Sequence, residues 1–158
     1  MPLRRPAILK AAFLVTSFLL ALFTFYSTDV YFRVYGSIRN FDVPTPKFNV
    51  IIWNNSYAST ETTITLLNPS ESEFQLVSII EGIYLDGEFI TIGHLSDKRE
   101  IHPMSETTMM IKTDIPHYRI RYVTEKPERT WLVSIRITLN AEIVGTFPWR
   151  GSWLITDE

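Results

Sequence analysis

The spacing of apolar positions changes character once along the chain. From about residue 7 to residue 32 apolar side chains run almost without interruption, and from Phe48 onward they alternate with polar ones. The first pattern predicts a helix that is apolar all round, and the second predicts half-buried strands. In the N-terminal stretch, Arg4, Arg5 and Lys10 are followed by 18 residues without a charged side chain, up to Asp29. A helix over residues 7–28 rises about 1.5 Å per residue and so covers roughly 30 Å, the thickness of a bilayer's hydrocarbon core. Its Ser and Thr hydroxyls can bond back to the helix's own carbonyls. Tyr26, Tyr31, Phe32 and Tyr35 fall where an interfacial aromatic belt belongs.

Three readings compete for this segment: an uncleaved membrane anchor, a cleaved signal peptide and a buried core helix. Cleavage needs small residues at the first and third positions before the cut, and the aromatics of "FTFYSTDVYF" spoil most registers, which favours the anchor. Three basic residues precede the span, while Arg33 and Arg39 follow it. The bias is small and favours an N-terminus in the cytoplasm with the C-terminal domain outside, in a single-pass cell-membrane protein.

Residues 33–47, "RVYGSIRNFDVPTPK", show no clear period and read as a linker between the N-terminal tail and span (1–32) and a domain over 48–158. Within that domain "FNVIIWN" and "TTITLLN" alternate as strands, separated by a polar turn. "FQLVSIIEGIYL" offers an inner set of Val77, Ile79, Ile83 and Leu85, with a break near Ser78 to Gly82, and Asp86-Gly87 signals a tight hairpin. "ETTMMIKTDI" sets Met109 and Ile111 against Thr108, Met110 and Lys112. The cleanest alternation is "WLVSIRITLNAEI", which predicts Trp131, Val133, Ile135, Ile137 and Leu139 inward and Ser134, Arg136, Thr138 and Asn140 outward. About seven strands with frequent turn signals predict an all-β, antiparallel sandwich.

Composition narrows the function. The 158 residues are 46% apolar and 20% charged, and beyond residue 32 there are 12 basic against 16 acidic side chains, a net charge of −4. Nucleic acid is therefore not an expected partner. Cysteine is absent, which excludes disulfides and thiol chemistry.

"LLNPSESEF" stops a strand on Asn68-Pro69, because proline lacks the ladder's amide hydrogen and holds its predecessor out of the helical region; four small polar residues then carry the chain to Phe74. The longer stretch "TTITLLNPSESEFQLVSIIEGIYLDGEFI" resembles the central motif of the LEA14 or WHy family, the group 2 late embryogenesis abundant (LEA) proteins. "IHPMSETTMMIKTDI" and "WLVSIRITLNAEIVGTFPWRGSW" resemble that family's later strands, with Gly145 at the final turn. The resemblance covers about residues 47–155, and departs from the family in Ser70 after Asn-Pro and in having only "HYRIRYVTEKPER" where a helix is expected. It implies an immunoglobulin-like sandwich, a role in stress tolerance or, in plant membrane proteins, defence signalling, and no catalytic residues.

The residues carry no nucleotide-binding, nucleophile-elbow or zinc-protease motif. Asp86 and Glu88 flank a hairpin glycine, where carboxylates are usually just solvated, and His94, His102 and His117 match no metal spacing. No catalytic residue, cofactor or metal is expected. "HYRIRYVTEKPER" interleaves aromatic and basic side chains, and its Tyr118, Arg119, Arg121, Tyr122, Lys126 and Arg129 form the candidate contact patch, weighed against a merely solvated strand or helix. Trp149 and Trp153 share a face of the last strand, either in the core or as an exposed docking strip. Asn54 opens a glycosylation sequon, "NNS". Three classes of function remain: a membrane-anchored binding or protective module, a structural accessory subunit of a larger membrane or envelope assembly, and an enzyme. The expected partners are the bilayer, through residues 7–28, and a protein in or on the membrane.

Overall fold

The computed structural model describes residues 5–54, 56–125, 129–141 and 144–156. A long helix, α1 (Arg5–Asn40), leads into strands β1 (Lys47–Asn54), β2 (Tyr57–Asn68), β3 (Phe74–Leu85), β4 (Glu88–Leu95), β5 (Arg99–Ile101) and β6 (Ser105–Ile115). A short helix, α2 (His117–Thr124), precedes β7 (Thr130–Ala141) and β8 (Gly145–Thr156). One sheet has the order β1-β2-β6; the other has β4-β3-β7-β8, with β5 also pairing β3. All pairings are antiparallel. The chain crosses between sheets after β2, β5 and β6, the connection pattern of an immunoglobulin-like sandwich with one extra strand beside the third.

Alternation places the core. Trp131, Val133, Ile135, Ile137 and Leu139 of β7 are all buried, as their spacing predicts, and face Ile64, Leu66, Met109 and Ile111 of the other sheet. Phe48 meets Trp131 with ring centroids 5.3 Å apart. In β3 the register shifts between Leu76 and Ser78. This bulge turns Leu76 inward in place of the expected Val77, and it brings Glu81 onto the core face between Ile79 and Ile83.

The expected linker divides at Asn40. Residues 33–40 continue α1, because Val34, Ser37, Ile38 and Phe41 recur at helical spacing and all turn toward the sandwich. Short and interrupted by a serine, this period is weak in the sequence. Phe41 and Val43 enter the core, where Phe41 packs edge-on against Phe74 at 5.9 Å, and Asp42 exchanges backbone hydrogen bonds with Leu67. At 36 residues α1 is about 54 Å long, so roughly 24 Å exceeds what a hydrocarbon core takes up. It is the one described helix long and apolar enough to cross a membrane, with a mean hydropathy of 2.1 over its most apolar window.

The Asn68-Pro69 turn is built around the Asn68 carboxamide. Its Nδ2 donates to the carbonyls of Ser72 at 2.8 Å and His102 at 2.9 Å, while its Oδ1 accepts from the Ser70 amide and, at 2.6 Å, from the Ser70 hydroxyl. Ser72 in turn meets Ser37 of α1, hydroxyl to hydroxyl at 2.9 Å. Ser37 donates to the Arg33 carbonyl, so its single proton is used and Ser72 is the donor between them.

Glu81 carries the most costly polar group of the interior. Thr113 Oγ1 donates to its Oε1 at 3.0 Å, but Oε2 and the hydroxyl of Thr62 are buried without a hydrogen-bond partner. Gly93 opposite leaves the room: a Cβ there would collide with the Thr113 hydroxyl and lie 2.9 Å from Oε1. Burial pushes the Glu81 carboxyl above the usual carboxylate range, against weaker opposing effects of Thr62 and Thr113.

Two outcomes follow from this packing. Trp131→Ala should cost about 3–5 kcal/mol and Arg136→Ala, outward on the same strand, under about 1 kcal/mol in chemical denaturation; equal losses would contradict the face assignment. The folded state holds the Glu81 proton more tightly than the unfolded chain does. This contribution is therefore complete below the ordinary carboxylate range, near pH 4.3, and is lost as pH rises through the raised value. Glu81→Gln should be more stable than the parent at about pH 7 and show a flatter melting-temperature profile above about pH 5; an unchanged profile would contradict the burial of a titrating group.

Candidate functional site at the far end of the sandwich

The strand order separates two ends. The Asn68-Pro69 turn, the β5–β6 turn and the docked end of α1 lie at one end; the β1–β2 turn, the Asp86-Gly87 turn and α2 lie at the other. Twelve-residue strands put these ends about 40 Å apart.

The far end collects aromatic and basic side chains. In α2, Ile120 and Val123 are buried and fix the helix on the sandwich with Tyr122 packed half-buried beside them, leaving Tyr118, Arg119 and Arg121 of the candidate patch on the remaining faces. Tyr118 is 76% exposed, with the Arg119 guanidinium 5.6 Å from its ring centre. Arg119 reaches Glu88 at 3.8 Å and so ties α2 to the β3–β4 hairpin, and Arg121 pairs with Glu125 at 2.7 Å, which strengthens its hold on its proton. The basic charge of Arg119 and Arg121 is thus largely matched locally. Arg129 lies half-buried before β7 and has its own interaction partner, and Lys126 falls outside the described residues.

Three further aromatic residues at this end went unread in the sequence: Trp53 (60% exposed), Tyr57 and Phe89. Trp53 and Tyr57 meet at 6.3 Å across the β1–β2 turn, and Lys112 lies 5.9 Å from the Trp53 ring. The Tyr57 hydroxyl donates to Asp114 at 3.0 Å, an interaction that holds its proton and raises the phenol above its usual range. Aromatics flanking hairpin turns were the available signal. Asn54 is exposed at the same turn, where its Oδ1 accepts from the amides of Ser56 and Tyr57.

The other candidates separate. Asp86 and Gly87 both have positive φ, at 49° and 85°, as a tight two-residue hairpin turn requires. Asp86 also bonds the backbone of Thr130 and thereby positions β7, so it and Glu88 serve the frame and are no carboxylate pair. His94 lies in β4, His102 between β5 and β6, and His117 opens α2, so the fold does not gather them. Glu73, Glu100 and His102 do converge at the α1 end, all exposed, and could together hold a cation. Trp149 and Trp153 stack at 5.9 Å on the inner face of β8, half-buried against the core. Among the described residues no nucleophile lies paired with a base, and this end offers chemistry for contact.

No family model matches the chain, and no curated protein matches it. Solved structures do. A solution structure from Arabidopsis thaliana aligns with a TM-score of 0.60 at 18% identity, over 74% of this chain and 82% of the other. A crystal structure from Archaeoglobus fulgidus aligns at 0.52 and 12%, over 74% and 98%. The solution structure of a candidate late embryogenesis abundant (LEA) protein aligns at 0.50 and 13%, over 96% and 88%. At these identities the likeness is one of fold, and the sandwich is LEA-like.

Proposed function

We propose that this chain is a membrane-anchored, non-catalytic binding or protective module of the LEA14/WHy type, stress-related, whose domain stands outside the cytoplasm and presents its far end to a protein partner. The observation that carries the reading is the form of α1. Its apolar length is exposed on every side, while its last two turns are docked into the sandwich by Val34, Ser37 and Ile38. An apolar helix with no protein cover is stable in lipid and not in water. The Asp29–Arg33 ion pair, at 2.6 Å, and the stacked Tyr31 and Tyr35 rings then sit at the interface. The emerging end of α1 holds the contact surface of Tyr118, Trp53 and Tyr57 away from the lipid, so a lipid headgroup is a poor occupant for it. A protein in or on the same membrane is the partner, since rigid aromatic side chains supply contact area at low entropic cost.

Alkaline carbonate should leave the chain in the membrane pellet with its N-terminal residues intact; release into the supernatant would sink the anchor. In microsomes that glycosylate, Asn54 should gain a glycan that Asn54→Gln abolishes, because an exposed sequon about 40 Å from the docked end of α1 is accessible to the transferase on the outer side alone. An unglycosylated, membrane-inserted chain would reverse the orientation.

Affinity purification from the native membrane is expected to bring down a protein companion. Tyr118→Ala and Trp53→Ala should each weaken its recovery by several-fold to about thirtyfold, and the double change by more. Replacing His94, His102, His117, Asp86 or Glu88 singly should leave binding measurable. Complete loss on one of those changes, in a folded and inserted protein, would reopen the enzyme or metal-site reading. A stoichiometric companion that resists salt and mild detergent would favour the accessory-subunit reading instead.

A further inference from the structure

The outward face of the second sheet, away from both ends of the sandwich, carries a second unassigned feature. Arg136 of β7 and Arg150 of β8 stand directly opposite each other in the antiparallel register, and both are exposed on this face. Like charges in that position repel, and sheets normally separate them or place a carboxylate between them. Here neither arginine makes an ion pair among the described residues. The outward positions of β3, β7 and β8 hold no acid; on the flanking strands, Glu88 begins β4 and pairs with Arg119, and Glu100 stands opposite Gln75.

The next row of the sheet is hollow. Gly82 of β3 lies opposite Ser134, which lies opposite Ser152, and the two serine hydroxyls are 3.3 Å apart. Tyr84 leans along β3 over the missing side chain: a Cβ on Gly82 would be 3.2 Å from its ring and 3.5 Å from its hydroxyl oxygen. The phenol is therefore directed toward the arginine row. Gly82, Tyr84, Ser134, Arg136 and Arg150, together with Ile80 and Ile92, line a depression of about 390 Å³. Its polar rim consists of donors: the guanidiniums of Arg136 and Arg150, the Tyr84 phenol and the Ser134 hydroxyl.

We propose that this depression binds a small soluble organic oxyanion, a phosphate monoester carried on an apolar or aromatic body. The phosphoryl oxygens would lie between Arg136 and Arg150, relieving their repulsion, and accept from Tyr84 and from Ser134, whose hydroxyl itself accepts from Ser152 and so keeps its proton for the ligand. The apolar body would lie against Ile80 and Ile92. A dianion suits a site of two positive charges better than a carboxylate does, and Ser and Tyr hydroxyls suit its tetrahedral set of acceptors. The site is separate from the anchor, and it adjoins the far-end surface where Tyr84 meets Phe89 edge-on at 5.6 Å.

The test titrates the full chain, in neutral detergent micelles, with phenyl phosphate, inorganic phosphate and phenol by calorimetry. Phenyl phosphate should saturate one site, inorganic phosphate should bind more weakly, and phenol should not bind. Arg136→Ser and Arg150→Ser should each weaken phenyl phosphate at least about tenfold while melting no lower than the parent, since each removes a repulsion. Tyr84→Phe, which keeps the ring, should weaken it about threefold to tenfold. Amide shifts on titration should centre on Gly82, Ser134 and Ser152. Absence of saturable binding, binding indifferent to both arginine changes, or shifts centred on α2 would overturn the proposal. So would binding of dihexanoyl phosphatidic acid, below its micellar concentration, without binding of phenyl phosphate, because the ligand would then be a lipid headgroup.

Discussion

A carboxamide buried among backbone groups must have its hydrogen bonds satisfied, and the Asn68 side chain meets that requirement by joining three segments that are distant in sequence. It holds the turn between the sheets through Ser70 and Ser72, and the β5–β6 turn through the His102 carbonyl. Through the contact of Ser72 with Ser37 it reaches the last turns of α1. The Met104 amide, donating to Ser70, closes the same cluster from the other side. Leucine of similar size at position 68 would remove all of these bonds at once and leave the Ser70 amide without its acceptor, an orphaned donor costing about 1–3 kcal/mol if no water replaced it. The junction of helix and sandwich thus rests on one residue type that presents donors and acceptors together.

This junction gives the two ends of the sandwich different environments. The end beside α1 is occupied by the docking of the helix and by exposed Glu73, Glu100 and His102. The far end is free, and the fold stocks it with aromatic residues whose hydroxyl or neighbouring charge is already engaged, as in the Tyr57–Asp114 and Arg119–Glu88 pairs. Side chains fixed in this way lose little entropy when a partner covers them. The proposed role as a tethered binding module draws on this division.

The legible parts of the fold were those where burial is one-sided. The alternation of β7 named its five core residues, and Asn68-Pro69 and Asp86-Gly87 marked the ends of β2 and β3, because each reports a local backbone rule. The bulge at Val77 was not legible: whether Leu76 or Val77 faces inward is decided by pairing with β7, which one strand's sequence does not contain. Glu81 was hidden for the same reason, since the space for it is made by Gly93 on a neighbouring strand. The helical continuation through residues 33–40 was missed because Ser37, polar by composition, is nearly buried through its bond to Ser72. In the candidate surface, contiguity along the chain gave Tyr118 and the arginines of α2, whereas Trp53, Tyr57 and Phe89 join them through turns that the topology brings to one end. The Arg136–Arg150 pair depends on the register of β7 against β8, and the sequence alone left both as solvated side chains on an outer face.

Helix and sandwich form one body around Asn68, and the absence of cysteine makes this directly measurable. Spin labels on cysteines introduced at the exposed positions Tyr35 and Ser152 would be the only labels in the chain, and double electron–electron resonance on the reconstituted protein reads the distance between them. One narrow distance distribution is expected, broadened by Asn68→Leu. A broad distribution in the parent chain, unchanged by that substitution, would mean that the sandwich swings on a flexible tether and would contradict the single body.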